Sequence, residues 1–196
     1  MRLERATYEA IKYACVNYHY SRAVPVNPIG FAVFNDKKEF CGVITYGAGA
    51  SRHLGTKYGL KNGEFLELTR VALNGKQECT SKAVAISLKL IRKLCPTVKM
   101  IISFADLDRN HKGIIYQATN WIYGGKCNEG QVTGRLVNGK RVHLRSYAKM
   151  AKQFPDAKKL ATAGKHRYLF PFSADMVKLC EGLKVPYPKA DKAVVV

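Results

Sequence analysis

Between Glu64 and Tyr123 the spacing of apolar positions changes twice along the chain. Leu66, Leu68 and Val71 to Leu73 come close to alternating with polar neighbours, Glu67 and Arg70 among them, and this predicts a strand. Ala83, Ile86, Leu88, Leu90, Ile91 and Leu94 then spread at helical intervals, from Thr80 as N-cap to a stop at Pro96. Val98 to Phe104 predicts a buried second strand. A strand, a crossover helix and a strand make a β-α-β unit with parallel strands and the helix on one face. Ligands of such sheets bind beyond the carboxyl ends of the strands. That gathers Arg70, Ser103 and Asp106 at one crevice.

Upstream, residues 5 to 17 carry Ala6, Tyr8, Ala10, Ile11, Ala14 and Cys15 at helical spacing, ending near Asn17. The loop Tyr18 to Pro25 follows, where His19 suits a base, a metal ligand or a cap. Phe31 to Phe34 and Phe40 to Tyr46 flank a polar turn and predict a hairpin. The glycine-rich Gly47 to Gly55 carries Arg52 and His53; it could expose backbone N–H groups to phosphate or serve as a connection. After Phe104, Asp106 could orient a base, bind a metal or cap the next helix. Ile114 to Ala118 predicts a short helix whose Tyr116 faces either the core or the crevice, and Trp121 to Tyr123 is strand-like.

Beyond Gly125 the character shifts. Val132 to Leu136 and Arg141 to Leu144 around Asn138-Gly139 predict a second hairpin, Ser146 to Leu160 a lysine-rich helix, and Tyr168 to Phe172 a closing strand. From Val185 onward the chain reads as a loose tail. We take 1–125 as the core and 126–196 as a basic C-terminal part of the same domain.

Charge sharpens this picture. The 196 residues hold 33 Lys and Arg against 14 Asp and Glu, a formal net charge of +19, for which a polyanion is the natural partner and a solvated basic surface the plainer alternative. Charge alone admits nucleic acid, an acidic membrane surface or an anionic cofactor. No segment is apolar for long enough to span a bilayer, and the N-terminus lacks a signal-peptide core, so a cytoplasmic setting without membrane is expected. Basic residues interleaved with Tyr147, His166 and Tyr168 suit phosphate contacts plus stacking on an exposed base. The expected nucleic-acid contacts are Arg22, Arg52, Arg135, Lys140, Arg141, Arg145, Lys165, Arg167 and Tyr168. The six cysteines form no Cys-x-x-Cys pair and read as reduced, mostly buried residues.

The order of elements resembles the GNAT acyltransferase fold. More specifically, His19-Tyr20-Ser21, Leu66 to Leu73, Ser103-Phe104-Ala105-Asp106, Gly113 to Tyr123 and Lys165-His166-Arg167-Tyr168 resemble the Mom family of phage DNA-modification proteins, over roughly Tyr8 to Phe172. The resemblance implies an α/β (α+β) fold: a mixed, mostly antiparallel central sheet with one parallel β-α-β unit, flanking helices and a basic C-terminal extension. It also implies conversion of adenine in double-stranded DNA to an N6-carbamoylmethyl-type derivative that protects phage DNA from host restriction. His19, Tyr20, Arg70, Ser103, Asp106 and Tyr116 carry over as catalytic candidates, with His19 or Asp106 as base or metal ligand, Tyr20 and Tyr116 as stackers or proton donors, and Arg70 as charge clamp or as an ion-pair partner of Glu67. The family implies a small-molecule donor, acyl-coenzyme A-like or other, and iron has been suggested for it. Asn74 to Lys82 departs from the Gln/Arg-x-x-Gly-x-Gly/Ala turn that holds pyrophosphate in acetyltransferases of this fold. Thr80, Ser81 and Lys82 at the helix start are the residues left to hold an anion. A coenzyme A-dependent N-acetyltransferase and a non-enzymatic DNA-binding protein are the other classes consistent with the pattern.

Overall fold

The computed structural model describes residues 1–49, 51 and 53–189. Its main sheet has seven strands in the order β1-β2-β3-β4-β5-β10-β6. These are β1 (Arg2–Arg5), β2 (Ile29–Phe34), β3 (Phe40–Gly47), β4 (Phe65–Leu73), β5 (Met100–Asp106), β6 (Ile122–Cys127) and β10 (Lys165–Pro171). Every neighbouring pair is antiparallel except β4 and β5, which are parallel. The β2–β3 hairpin and the β-α-β unit stand where the hydrophobic pattern places them. Helix α2 (Thr80–Leu94) begins with Thr80 already helical and Cys79 in the cap position, one residue earlier than expected. Thr80 Oγ1 instead accepts from Gln77 Nε2 at 2.8 Å.

Alternation along the strands sends two sets of side chains to opposite faces. On one face α2 buries Ala83, Val84, Leu88 and Ile91 against Val33, Ile44, Leu68 and Ile101. Burying its polar groups would be costly, and Tyr46 and Ser87 answer this by pairing their hydroxyls at 2.6 Å. On the other face α1 (Tyr8–Tyr18) packs Ile11, Ala14 and Cys15 on Val43 and Ala72. A helix the sequence reading did not anticipate, α5 (Ala174–Glu181), places Met176 and Cys180 on Met100, Ile102 and Leu169. The cysteines are all free, with Cys79 exposed.

The basic segment folds as a separate three-stranded sheet, β8-β7-β9, from β7 (Val132–Val137), β8 (Lys140–His143) and β9 (Lys159–Ala161). The Ser146–Leu160 helix is not there: α4 (Leu144–Tyr147) is one turn, and β9 pairs with β7. Lysine favours helix, and Tyr147, Met150, Ala151 and Phe154 stand at helical spacing, but Pro155 cuts that stripe off after two turns and leaves no helix long enough to hold. Tyr147 turns inward beneath Arg135, whose guanidinium lies 5.3 Å from its ring centre. Asp108 fastens this small sheet to the loop after β5. Its carboxylate accepts from Thr162 Oγ1 at 2.9 Å and from the Ala163 N–H at 2.8 Å, with Arg141 at 3.6 Å. The first part of the tail is held rather than loose: the Val185 N–H donates to the Tyr123 carbonyl and the Tyr187 hydroxyl to the Trp121 carbonyl. No helix of the described residues is long and apolar enough to cross a membrane.

Candidate active site

Strands β4 and β5 pair only from Phe65 to Glu67 against Met100 to Ile102. Both then run on without pairing to each other, and a cleft of about 580 Å³ opens where they part. A bulge decides what β4 shows to it. Thr45 pairs with Arg70 and Tyr46 with Leu68, so Thr69 is an extra residue on β4. Without the bulge, Glu67 and Arg70 would point to opposite faces; with it, both line the cleft.

Arg70 ties the walls together. Its Nε donates to the Ala23 carbonyl at 3.3 Å and its Nη1 to the Thr69 carbonyl at 2.6 Å. This holds the loop after α1 against β4 and brings His19 and Tyr20 into the cleft. The Ser21 N–H lies 3.1 Å from His19 Nδ1, and the Ser21 hydroxyl lies 2.8 Å from the same nitrogen. A backbone N–H can only donate, so Nδ1 keeps its lone pair and the neutral ring carries its proton on Nε2. Burial, then the charges of Arg70 and His111, lower the His19 pKa from 6.5 to about 4. The ring is therefore neutral at ordinary pH, with an N–H donor at its outer end.

Tyr20 stands at the rim, half exposed, its ring 4.3 Å from that of His19 and edge-on to His111 at 5.5 Å, with the Arg109 guanidinium 5.3 Å from its centre. Its hydroxyl donates to Asp106 Oδ2 over a long 3.4 Å. Burial and the Asp106 charge raise its pKa. Asp106 also caps: Oδ1 accepts from the Asp108 N–H at 3.0 Å and starts the 3₁₀ turn Leu107–Arg109.

Tyr116 forms the floor, with Ser103 buried beneath it. Ser103 Oγ lies 3.0 Å from the Leu68 carbonyl and 2.8 Å from the Tyr116 hydroxyl. It has one proton and the carbonyl only accepts, so Tyr116 donates to Ser103. Tyr116, from the one-turn α3 (Ile114–Gln117), is stacked between Trp121 at 5.1 Å and Tyr168 at 5.0 Å, and burial pushes its pKa up to about 12. It thus faces core and crevice at once. Gly113 permits this packing: it has φ +72°, and a Cβ on it would lie 2.3 Å from the Tyr168 ring.

The structure brings His19, Tyr20, Arg70 and Tyr116 to one cleft, with Asp106 at its rim through Tyr20 and Ser103 beneath its floor. Lys165 also lines it. Ser81 and Lys82 lie elsewhere, in a groove of about 520 Å³ along α2 with Lys89 and Arg92; the residues just after α3 form its other wall. Arg22 is exposed in the loop after Tyr20, and Lys140 and Arg141 are exposed on β8. Arg167 faces the side of the sheet opposite α2. Tyr168 does not fit the stacking role read from the sequence: it is fully buried, its hydroxyl donating to the Lys112 carbonyl and accepting from Gln117 Nε2, so no base can reach its face. Arg52 and the Arg145 side chain lie outside the described residues. Sequence reasoning passed over His111 and Glu67 as cleft residues. His111 stands in the dense polar loop already singled out, but the bulge that turns Glu67 inward leaves no local signal.

Among the described residues no three or more His, Cys, Asp or Glu side chains gather to hold a metal ion. His19 Nδ1 is taken by Ser21. The residues present do not fit a metal centre built on His19 and Asp106.

Known structures reproduce the fold. A putative phosphinothricin N-acetyltransferase superposes with a TM-score of 0.52 at 8% identity, covering 88% of this chain and 98% of that one. A single-substitution variant of the spermidine N-acetyltransferase from Vibrio cholerae gives 0.51 at 9% identity, covering 91% and 99%. The protein therefore has the GNAT acetyltransferase fold. In sequence, the methylcarbamoylase Mom of Escherichia phage Mu is 32% identical over 112 residues, 55% of this chain and 46% of that relative, so the match spans about half the relative's length. The model of the Mom protein family matches residues 1–189, nearly the whole chain, and to that family this protein belongs.

Proposed function

We propose that this protein is a transferase that moves a carbamoylmethyl-type group from a small-molecule donor to the exocyclic amine of adenine in double-stranded DNA, protecting phage DNA from restriction in the host cytoplasm. The observation that carries this reading is the convergence of His19, Tyr20, Arg70 and the Glu67 carboxylate on one cleft, with Asp106 at its mouth. The surrounding chain carries a charge of +19. The family membership and the name of the phage Mu relative support it.

Adenine's amine is a weak nucleophile because its lone pair is delocalised into the ring, and inside a duplex it is out of an enzyme's reach. The base must be extruded. A cleft of about 580 Å³ has room for a purine together with a small transferred group. Tyr20 and His111 supply aromatic walls at the rim, where an incoming base would stack. The neutral His19 donates its Nε2–H to the carbonyl oxygen of the transferred group, and Arg70 adds positive charge beside it. Asp106, reached through the Tyr20 hydroxyl, takes the proton that the amine loses. No step runs through iron. As the amine nitrogen bonds to the transferred carbon, the bond from that carbon to the donor breaks and the carrier leaves with its electron pair; Thr80, Ser81 and Lys82, at the start of α2 and beside the separate groove along it, are proposed to hold an anionic carrier that reaches from there into the cleft. Arg22, Arg135, Lys140 and Arg141 carry the non-specific attraction to DNA phosphates.

Nucleoside mass spectrometry of DNA from cells expressing the protein tests the reading. Modified deoxyadenosine should appear with the wild type and fall by about 100-fold or more with Asp106→Ala, as expected for loss of a general base, while circular dichroism stays unchanged. Only unmodified deoxyadenosine from the wild type would refute the function. Undiminished product from Asp106→Ala would remove Asp106 from the mechanism.

A further inference from the structure

On the sheet face opposite α2, two cations meet without a counter-charge. Arg167 extends from β10 across Gly124, where a Cβ would stand 2.9 Å from its Nε. One guanidinium N–H donates to the Gly124 carbonyl, while Nε is buried with no hydrogen-bond partner. Opposite, the 3₁₀ turn Thr56–Tyr58 presents Lys57, its ammonium 4.9 Å from the centre of the Tyr58 ring. Tyr58 is itself buried, 4% exposed, and its hydroxyl is likewise without a partner. Tyr58 packs in one buried cluster with Leu169 and Ile122, a cross-strand pair two residues from Arg167 and Gly124 on the same face, which sets the phenol and its neighbour Lys57 beside the guanidinium. Burial first, and then the charge of Arg167, lower the Lys57 pKa, and the same charge acts on the Tyr58 hydroxyl and the Cys127 thiol. Among the described residues neither Lys57 nor Arg167 pairs with an Asp or Glu.

Two like charges together with two unpaired buried donors cost free energy as they stand. A phosphate group would relieve this: its oxygens would accept from the exposed Lys57 ammonium and draw the Arg167 guanidinium and the Tyr58 hydroxyl, both closed to solvent without it, into the same contact. We propose that Lys57, Arg167 and the Tyr58 hydroxyl form a phosphate-binding site, and that a DNA phosphate next to the nucleotide in the β4–β5 cleft occupies it. The source follows from position. Lys165, which lines the cleft, lies two residues before Arg167 on the same face of β10, about 6.8 Å along the strand. A strand entering the cleft would pass from one to the other. The assignment to DNA rests on the proposed function, whereas the chemistry of the site rests only on the residues named here.

Duplex binding measured by fluorescence anisotropy across a series of salt concentrations tests it, using wild type, Lys57→Met and Tyr58→Phe. Lys57 is exposed and Tyr58→Phe keeps the ring, so both variants should melt like the wild type. Lys57→Met should lose about one unit of slope in log K against log salt, with Kd raised roughly three- to tenfold. Tyr58→Phe should raise Kd about two- to fivefold at unchanged slope, since it removes a neutral donor. A wild type that binds DNA while both variants keep its Kd and slope overturns the site and leaves the proposed function standing. A wild type that neither binds duplex nor yields modified adenine overturns that function. If inorganic phosphate stabilises the wild type more than Lys57→Met while the DNA slopes coincide, the site belongs to a small phosphorylated molecule and DNA as its occupant is refuted.

Discussion

Replacing Asp108 with Ala should loosen the basic sheet from the loop at the cleft mouth. The carboxylate accepts two hydrogen bonds, from Thr162 Oγ1 at 2.9 Å and the Ala163 N–H at 2.8 Å. A bond to a charged acceptor contributes about 1.5–3 kcal/mol. The Asp108 side chain is 34% exposed, so water competes for it. Discounting for that exposure leaves roughly 2–3 kcal/mol for the pair, and the ion pair with Arg141 at 3.6 Å adds well under 1. In a chain of this length each kcal/mol moves Tm by about 2–4 °C, so a fall of roughly 5–10 °C is expected by scanning fluorimetry. Hydrogen exchange should show backbone amides between Val132 and Ala161 losing protection first, because only this sheet hangs on the clasp. The effect also carries a pH signature. The Ala163 N–H above all, then Thr162 and the Arg141 charge, hold the Asp108 pKa below its ordinary 3.8. Its stabilisation is therefore present above that value and is lost as pH falls through the lower folded value. Wild type and variant should differ by a constant amount from pH 5 to 8 and converge in stronger acid. Equal melting temperatures and equal exchange would refute the clasp.

Two further outcomes follow from the site. Because the folded His19 pKa of about 4 lies under its ordinary 6.5, the unfolded chain takes up a proton first as pH falls, and stability drops between 6.5 and 4. The full gap corresponds to at most roughly 3 kcal/mol, which partial solvation of the ring cuts to about 1–2; urea melts across this range should show the slope in wild type and a flatter line in His19→Gln, and identical lines would refute the assignment. Gly113→Ala sets a Cβ into the Tyr168 ring at a φ of +72°, which should cost about 2–4 kcal/mol; a melting temperature within about 2 °C of wild type would show that the floor is not packed as described.

Much of the architecture was legible because it is written locally. The β2–β3 hairpin and the β4-α2-β5 unit follow from alternation, helical spacing and Pro96, and the parallel pairing followed from the length of the crossover. What failed was non-local or over-local. The lysine-rich stretch after Ser146 suggested a helix to Leu160, yet Pro155 ends its apolar stripe and Lys159 to Ala161 pair with β7 instead. Tyr168 was read from its basic neighbours as exposed, whereas strand alternation and the Tyr116, Tyr123 and Trp121 rings draw it inward. Cys180 and Met176, four apart behind Ser173 and Asp175, did mark α5 and could have been seen. The cleft's membership was half readable: motifs named His19, Tyr20 and Arg70, but a single extra residue at Thr69, invisible without the partner strand, decides that Glu67 joins them.

The place of β10 has a consequence for how the molecule comes into being. This strand lies between β5 and β6, and it is made some forty residues after β6. Until Lys165 to Pro171 leave the ribosome, β6 has no neighbour, Tyr116 lacks one of its stacking partners and the cleft is missing a wall. A nascent chain can pair its first five strands while the cleft stays open, so the proposed activity waits on β10, and a product ending short of Pro171 should be found degraded or aggregated rather than partly active.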